Sequence, residues 1–150
     1  MAIKKADYLI IGPGDFYTSL VPNFIVEGFK EAINESRAKI ILVLNLTNKK
    51  GHTESWKVGD YVKNTEFYIG KPADLVLINN EKPSDLQIER YKKEEGIEVS
   101  IENDFKDSRA VEKPLLSHVF FTNDKGDTMK RSFIRHDSEK LSKAISEIIK

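Results

Sequence analysis

Three short, uninterrupted apolar runs most constrain what this chain can fold into. Tyr8-Leu9-Ile10-Ile11, Ile40-Ile41-Leu42-Val43-Leu44 and Asp74-Leu75-Val76-Leu77-Ile78 each stop at a polar or glycine-bearing stretch. None alternates apolar with polar residues, so each reads as a strand buried on both faces, as in parallel sheets. Between the first two runs, Phe24, Ile25, Phe29, Ala32 and Ile33 recur at helical spacing, and Pro22 stands where an N-terminal turn tolerates it. Between the second and third, a weaker helical pattern over residues 54–67 carries Val58, Tyr61, Val62 and Thr65. Strand and helix alternating at such short intervals is the signature of βαβ units, whose crossovers are right-handed and whose helices cover both faces of the sheet. The expectation is a single α/β domain over residues 1–150, doubly wound, with a mainly parallel sheet flanked by helices.

The second half is less regular. Residues 83–95 read as a polar surface helix ended by Gly96, with Leu86, Ile88 and Tyr91 as its apolar members. Val99 and Ile101 alternate with polar residues as in an edge strand, and residues 103–113 read as a charged loop. Val119-Phe120-Phe121 and Ser132-Phe133-Ile134 flank Asn123-Asp124-Lys125-Gly126-Asp127, the pattern of a hairpin. A final helix is capped by Asp137 or Ser138 and carries Leu141, Ala144, Ile145, Ile148 and Ile149 on one face.

Composition removes several classes of function. With no cysteine there is no disulfide, no thiolate nucleophile and no thiolate metal site. Lys plus Arg and Asp plus Glu number 24 each, so no global field draws the chain to nucleic acid or to an anionic membrane. No run approaches the ~18 apolar residues of a membrane span. Met1-Ala2-Ile3-Lys4-Lys5 precedes only a short apolar run and does not read as a secretory leader, so a cytoplasmic location is expected.

In open α/β sheets ligands bind outside the carboxyl ends of the strands, which points to residues 12–23, 45–54 and 79–85. The stretch Gly12-Pro13-Gly14-Asp15-Phe16-Tyr17-Thr18-Ser19 pairs two glycines with hydroxyls near a helix start. Two readings follow: a backbone that lets a bulky ligand approach, or a tight strand-to-helix turn with a capping hydroxyl. It is neither a P-loop nor a dinucleotide Gly-x-Gly-x-x-Gly. Asp15 disfavours a phosphate directly beside it and suits a ribose hydroxyl, a base edge or a metal-bridged phosphate. Asn45-Leu46-Thr47-Asn48 and Gly51-His52-Thr53-Glu54 either read a sugar or base, or form a solvated loop in which Thr53 caps the next helix. His52, His118 and His136 show no metal-ligand spacing, so no metal site is expected. Arg135-His136-Asp137 reads as the start of the last helix with Asp137 capping, or alternatively with Arg135 reaching a phosphate. Phe16, Tyr17 and Trp56 either stack on a base or pack internally. No catalytic triad or carboxylate pair can be assigned from linear spacing.

The segment Ala6-Asp7-Tyr8-Leu9-Ile10-Ile11-Gly12-Pro13-Gly14-Asp15-Phe16-Tyr17-Thr18-Ser19, followed by Pro22-Asn23, resembles the YvcK/CofD-like proteins. The resemblance continues through Glu31-Ala32-Ile33, Asn45-Leu46, Gly51 with Thr53, and Arg135-His136-Asp137, and is closer to the YvcK branch. It implies a Rossmann-like domain that binds a nucleotide or UDP-sugar and acts in regulation linked to carbon metabolism and cell-wall synthesis. The alternative it implies is a phospholactate-type transferase acting on a nucleotide-activated donor, with Mg²⁺ needed only in that case. On the same footing Gly12, Pro13, Gly14, Asp15, Tyr17, Thr18, Ser19 and Asn23 form a ligand loop, faced by Asn45, Thr47 and Thr53. The family's glycine-rich N-terminal half has no counterpart in these residues, and His52 stands where the family usually has an acid. A third reading is therefore a half-length interaction domain that completes its sheet by forming a homo-oligomer.

Overall fold

The computed structural model describes residues 2–97, 100–119 and 134–149. Its sheet has four strands in the order β1 (Tyr8–Ile11), β2 (Lys39–Val43), β3 (Leu75–Asn79) and β4 (Ala110–Lys113), each parallel to its neighbour. Between β1 and β2 the chain makes a π-helical turn over Phe16–Leu20, then α1 (Val21–Phe24) and α2 (Phe29–Glu35). Helix α3 (Val58–Ile69) joins β2 to β3, α4 (Asp85–Glu95) follows β3, and α5 (Ser138–Ile148) closes the chain.

Successive residues of a strand point to opposite faces, and the middle strands use both. Ile40, Leu42, Val76 and Ile78 enter one core with Ile33 of α2 and Val58, Tyr61, Val62 and Ile69 of α3. Val43 and Leu77 enter a second core with Leu115 and Ala144, against which Val111, Leu141, Ile145 and Ile148 pack. The α/β expectation of a parallel sheet flanked by helices thus holds, but the winding differs: α2 and α3 share one face and α5 covers the other. Ile40, Ile41, Leu42 and Val43 are all buried, and each such side chain contributes roughly 1.5–3 kcal/mol of transfer free energy.

Five local expectations change. Strand β1 is not buried on both faces: it pairs with β2 alone and Ile10 is 47% exposed, because the packing side chains of α5 reach only the other strands. The helix expected to carry Phe24 through Ile33 is split, since Gly28 at φ +80° breaks the chain between α1 and α2 and leaves Ile25 at the surface. Residues 50–55 form a turn, so α3 starts at Val58; at its N-terminus the Asp60 carboxylate accepts the Lys57 amide at 2.9 Å, and Thr53 does not cap it. The end of the supposed 103–113 loop becomes β4, its amides paired to β3. Ile101 lies outside any strand; Val99 and the hairpin over 120–133 lie outside the described residues. The final helix forms as expected, Asp137 accepting from the Glu139 and Lys140 amides.

Strand order runs without reversal among the described residues, so the loops after β1, β2 and β3 are brought together simply by parallel pairing. Gly12 ends β1 at φ +80°, and a Cβ there would lie 2.7 Å from the Val43 carbonyl oxygen. Gly12→Ala is expected to cost about 3 kcal/mol, from left-handed strain plus this backbone clash, read as a lowered urea midpoint with unchanged slope.

Candidate functional site

The site is assembled around the carboxyl end of β2. Asn45 follows that strand, and its Oδ1 accepts the Gly14 amide at 3.2 Å, fastening the turn after β1 to the loop after β2. Gly12 approaches Val43, and Gly14 sits where a Cβ would press on Leu20 at 3.2 Å. Both glycines therefore serve chain packing. Asp15 caps the π-helical turn by accepting the Thr18 amide at 3.1 Å and pairs with Lys49, with His52 Nδ1 at 3.6 Å. Burial alone would raise the Asp15 carboxyl, but the Lys49 ammonium and the Thr18 bonds outweigh it and hold it below the ordinary carboxylate value. Tyr17 stands edge-on to His52 and Trp56. Pro13, Tyr17, Thr18, Ser19 and Asn23 are exposed, although the Asn23 amide donates to the Ser19 carbonyl at 2.6 Å.

The loop after β2 is held from within. Asn48 Oδ1 can only accept, so the Tyr61 hydroxyl donates to it at 2.8 Å and accepts from Thr53 at 2.9 Å. Thr53 in turn accepts the Lys49 amide at 3.0 Å, and Asn48 donates to the Trp56 carbonyl at 2.9 Å. Tyr91 of α4 donates to the Asn48 carbonyl. Burial pushes the Tyr61 hydroxyl up to about 12, against the opposing Thr53 bond, so it stays a neutral donor at physiological pH. Thr53 is 3% exposed and belongs to the framework behind the loop; Thr47 is half-buried.

Among the described residues, open space borders Asn45. A cavity of about 290 Å³ is floored by Leu44, Val58, Ile78 and Leu116, and edged by Asn45, Asn80, Lys82, Ser100 and Asn103. Residues 79–85 stood out in the sequence only as a loop after a strand. The 100–103 segment reads in the sequence only as part of an edge strand and the start of a charged loop, with nothing to mark it as part of a site. On the 81–83 side, Glu81 meets His118 Nε2 at 2.7 Å and Lys140 Nζ at 2.9 Å. Burial would raise the Glu81 carboxyl, but those two partners hold it lowered.

His136 reaches the same strand end from the other direction. It forms an isolated antiparallel bridge with Leu116, and its ring bonds the Leu44 carbonyl. Its Nε2 is buried without a partner among the described residues. Burial, against that one favourable bond, pulls the imidazole down to about 4. No group of three or more His, Cys, Asp or Glu among the described residues is placed to hold a metal ion, and no described helix is long and apolar enough to cross a membrane.

Comparison with known proteins agrees with this architecture. A family model described as 2-phospho-L-lactate transferase CofD matches residues 1–119. A protein from Thermotoga maritima, provisionally named a gluconeogenesis factor, is 40% identical over 98% of this chain and 45% of its own length. The gluconeogenesis factor of Halalkalibacterium halodurans is 32% identical over 97% of this chain and 43% of its own. A crystal structure of a Bacillus halodurans protein superposes with a TM-score of 0.79 at 28% identity, covering 96% of this chain and 44% of that one. The chain thus spans less than half the length of these relatives.

Because the unfolded His136 takes up its proton near 6.5 and the folded one only near 4, its contribution to stability is complete above pH 6.5 and is lost as pH falls through that window, by about 3 kcal/mol. The His136 ring-proton signal followed by NMR is expected to titrate below pH 5; a midpoint near 6.5 would overturn this assignment.

Proposed function

The chain belongs to the CofD family, and from that premise we propose that it binds a nucleotide or nucleotide-sugar of the UDP-sugar kind and acts as a regulatory protein linked to carbon metabolism and cell-wall synthesis, in the cytoplasm. Relatives 32–40% identical to it over 43–45% of their own length are named gluconeogenesis factors, which supports the regulatory half of this reading. The observation that carries the binding half is the cavity at the carboxyl ends of β2 and β3, apolar at its floor and lined with amides at its edge. Its volume of about 290 Å³ stands at the lower end of the roughly 300–1,000 Å³ of small-molecule sites. It suits a base or sugar ring with the rest of the ligand outside, and is too small to enclose a dinucleotide.

In this reading Asn45 is the pivotal residue, since it edges the cavity and also holds the Gly14 amide. Gly12, Pro13 and Gly14 set the turn, Asp15 and Thr53 keep the two loops in register, and Thr47 is half-buried in the loop after β2. Tyr17, Thr18, Ser19 and Asn23 are exposed on the turn that Asn45 fastens and stand outside the cavity lining.

A thermal-shift screen of the chain against UDP-sugars, other nucleotides and deazaflavin, each with and without Mg²⁺, tests the reading. At 100 times its dissociation constant a ligand adds about 2.7 kcal/mol, or about 5–10 °C for this size. A selective UDP-sugar shift that Asn45→Ala abolishes is the expected result. No shift with any nucleotide would overturn the reading.

A further inference from the structure

The two rims of the cavity differ in charge. On the α3 side, the chain's own acceptors already occupy the helix N-terminus. The Val58 amide donates to the Glu102 carbonyl at 3.0 Å, the Gly59 amide to Asp104 Oδ1 at 2.9 Å, and Asp60 sits in the same first turn. A helix N-terminus is the usual seat for a phosphate, but here an incoming anion would meet carboxylates and no free amide at these positions. The turn after β1 is similarly committed, with Gly14 bonded to Asn45 and the Lys49 ammonium paired with Asp15.

The opposite rim carries spare positive charge. Glu81 is shared between His118 and Lys140. Lys82, next to it, edges the cavity and pairs with no carboxylate among the described residues. Asn80 and Ser100, also on the edge, are exposed and uncharged.

We propose that Lys82 is the anion contact of this cavity, so that a ligand seated over Leu44, Ile78 and Leu116 directs its phosphate toward residues 81–83 and away from α3 and from the Gly12–Gly14 turn. The orientation of the ring rests on the nucleotide reading above; the anion contact does not. A flexible ammonium at an open rim fits a terminal phosphate group, whose charge it meets without needing a fixed bidentate geometry.

Amide NMR spectra of the whole chain, titrated separately with inorganic pyrophosphate, uridine and UDP, test this. Lys82 is exposed, so Lys82→Met leaves the fold intact, and Lys57→Met provides a cation removed from the α3 side. Pyrophosphate and UDP are expected to move the Glu81, Lys82 and Ser84 signals saturably. Lys82→Met should weaken UDP about tenfold, the scale of one charge-assisted hydrogen bond, while leaving uridine unchanged; Lys57→Met should change neither. If pyrophosphate acts at residues 81–84 but uridine and UDP leave the cavity signals unmoved, Lys82 stands and the nucleotide reading falls. The proposal is overturned if pyrophosphate moves only residues 14–19 or 58–60, if it moves nothing, or if Lys82→Met binds UDP as tightly as the unsubstituted chain.

Discussion

Everything in this molecule converges on the last three backbone positions around the end of β2. The Val43 carbonyl stands so close to Gly12 that no side chain fits between them. The Leu44 carbonyl takes the His136 ring, and the Asn45 side chain takes the Gly14 amide. A strand buried on both faces is the most rigid element available, because neither face can shift without opening a packed core. Using its end as the anchor transmits that rigidity to the turn after β1, to the loop after β2 and to the start of α5.

A consequence is that the first two loops close on one another. Asp15 reaches Lys49, Tyr17 meets His52, and Trp56 packs between the aromatic rings of Phe16 and Tyr61. Buried polar groups behind them are satisfied in sequence, from the Lys49 amide through Thr53 and Tyr61 to Asn48. A half-satisfied network would be costly in so dry a place, and this one is filled by the loop's own residues. Among the described residues, space for another molecule lies between the loops after β2 and β3, where apolar floor and neutral amides dominate.

Much of this was legible in the residues. The continuous apolar runs gave β2 and β3 with their flanking helices, because burial on both faces leaves no polar position to interrupt the pattern. Asp137 announced α5, and Gly96 closed α4 in a left-handed conformation. The Gly12-Pro13-Gly14 stretch was visible as a special turn. Its purpose was ambiguous, since a glycine demanded by a neighbouring carbonyl and one demanded by a ligand leave the same letter in the chain. Strand β4 was hidden, as Ala110-Val111-Glu112-Lys113 is half polar and becomes a strand only because β3 offers it an edge.

The sequence alone determined the α/β class, the order of the central elements and the family resemblance, all of which depend on local periodicity and on motifs read within a few residues. Only the tertiary structure decided which loops touch, that Thr53 turns inward, that His136 sits dry against Leu44, and that Glu81 is neutralised while Lys82 is not. Those facts are set by distances between residues tens of positions apart. The energy of a charge or a hydrogen bond depends on what stands a few ångströms away and how much water is excluded, and neither is written in the order of the letters.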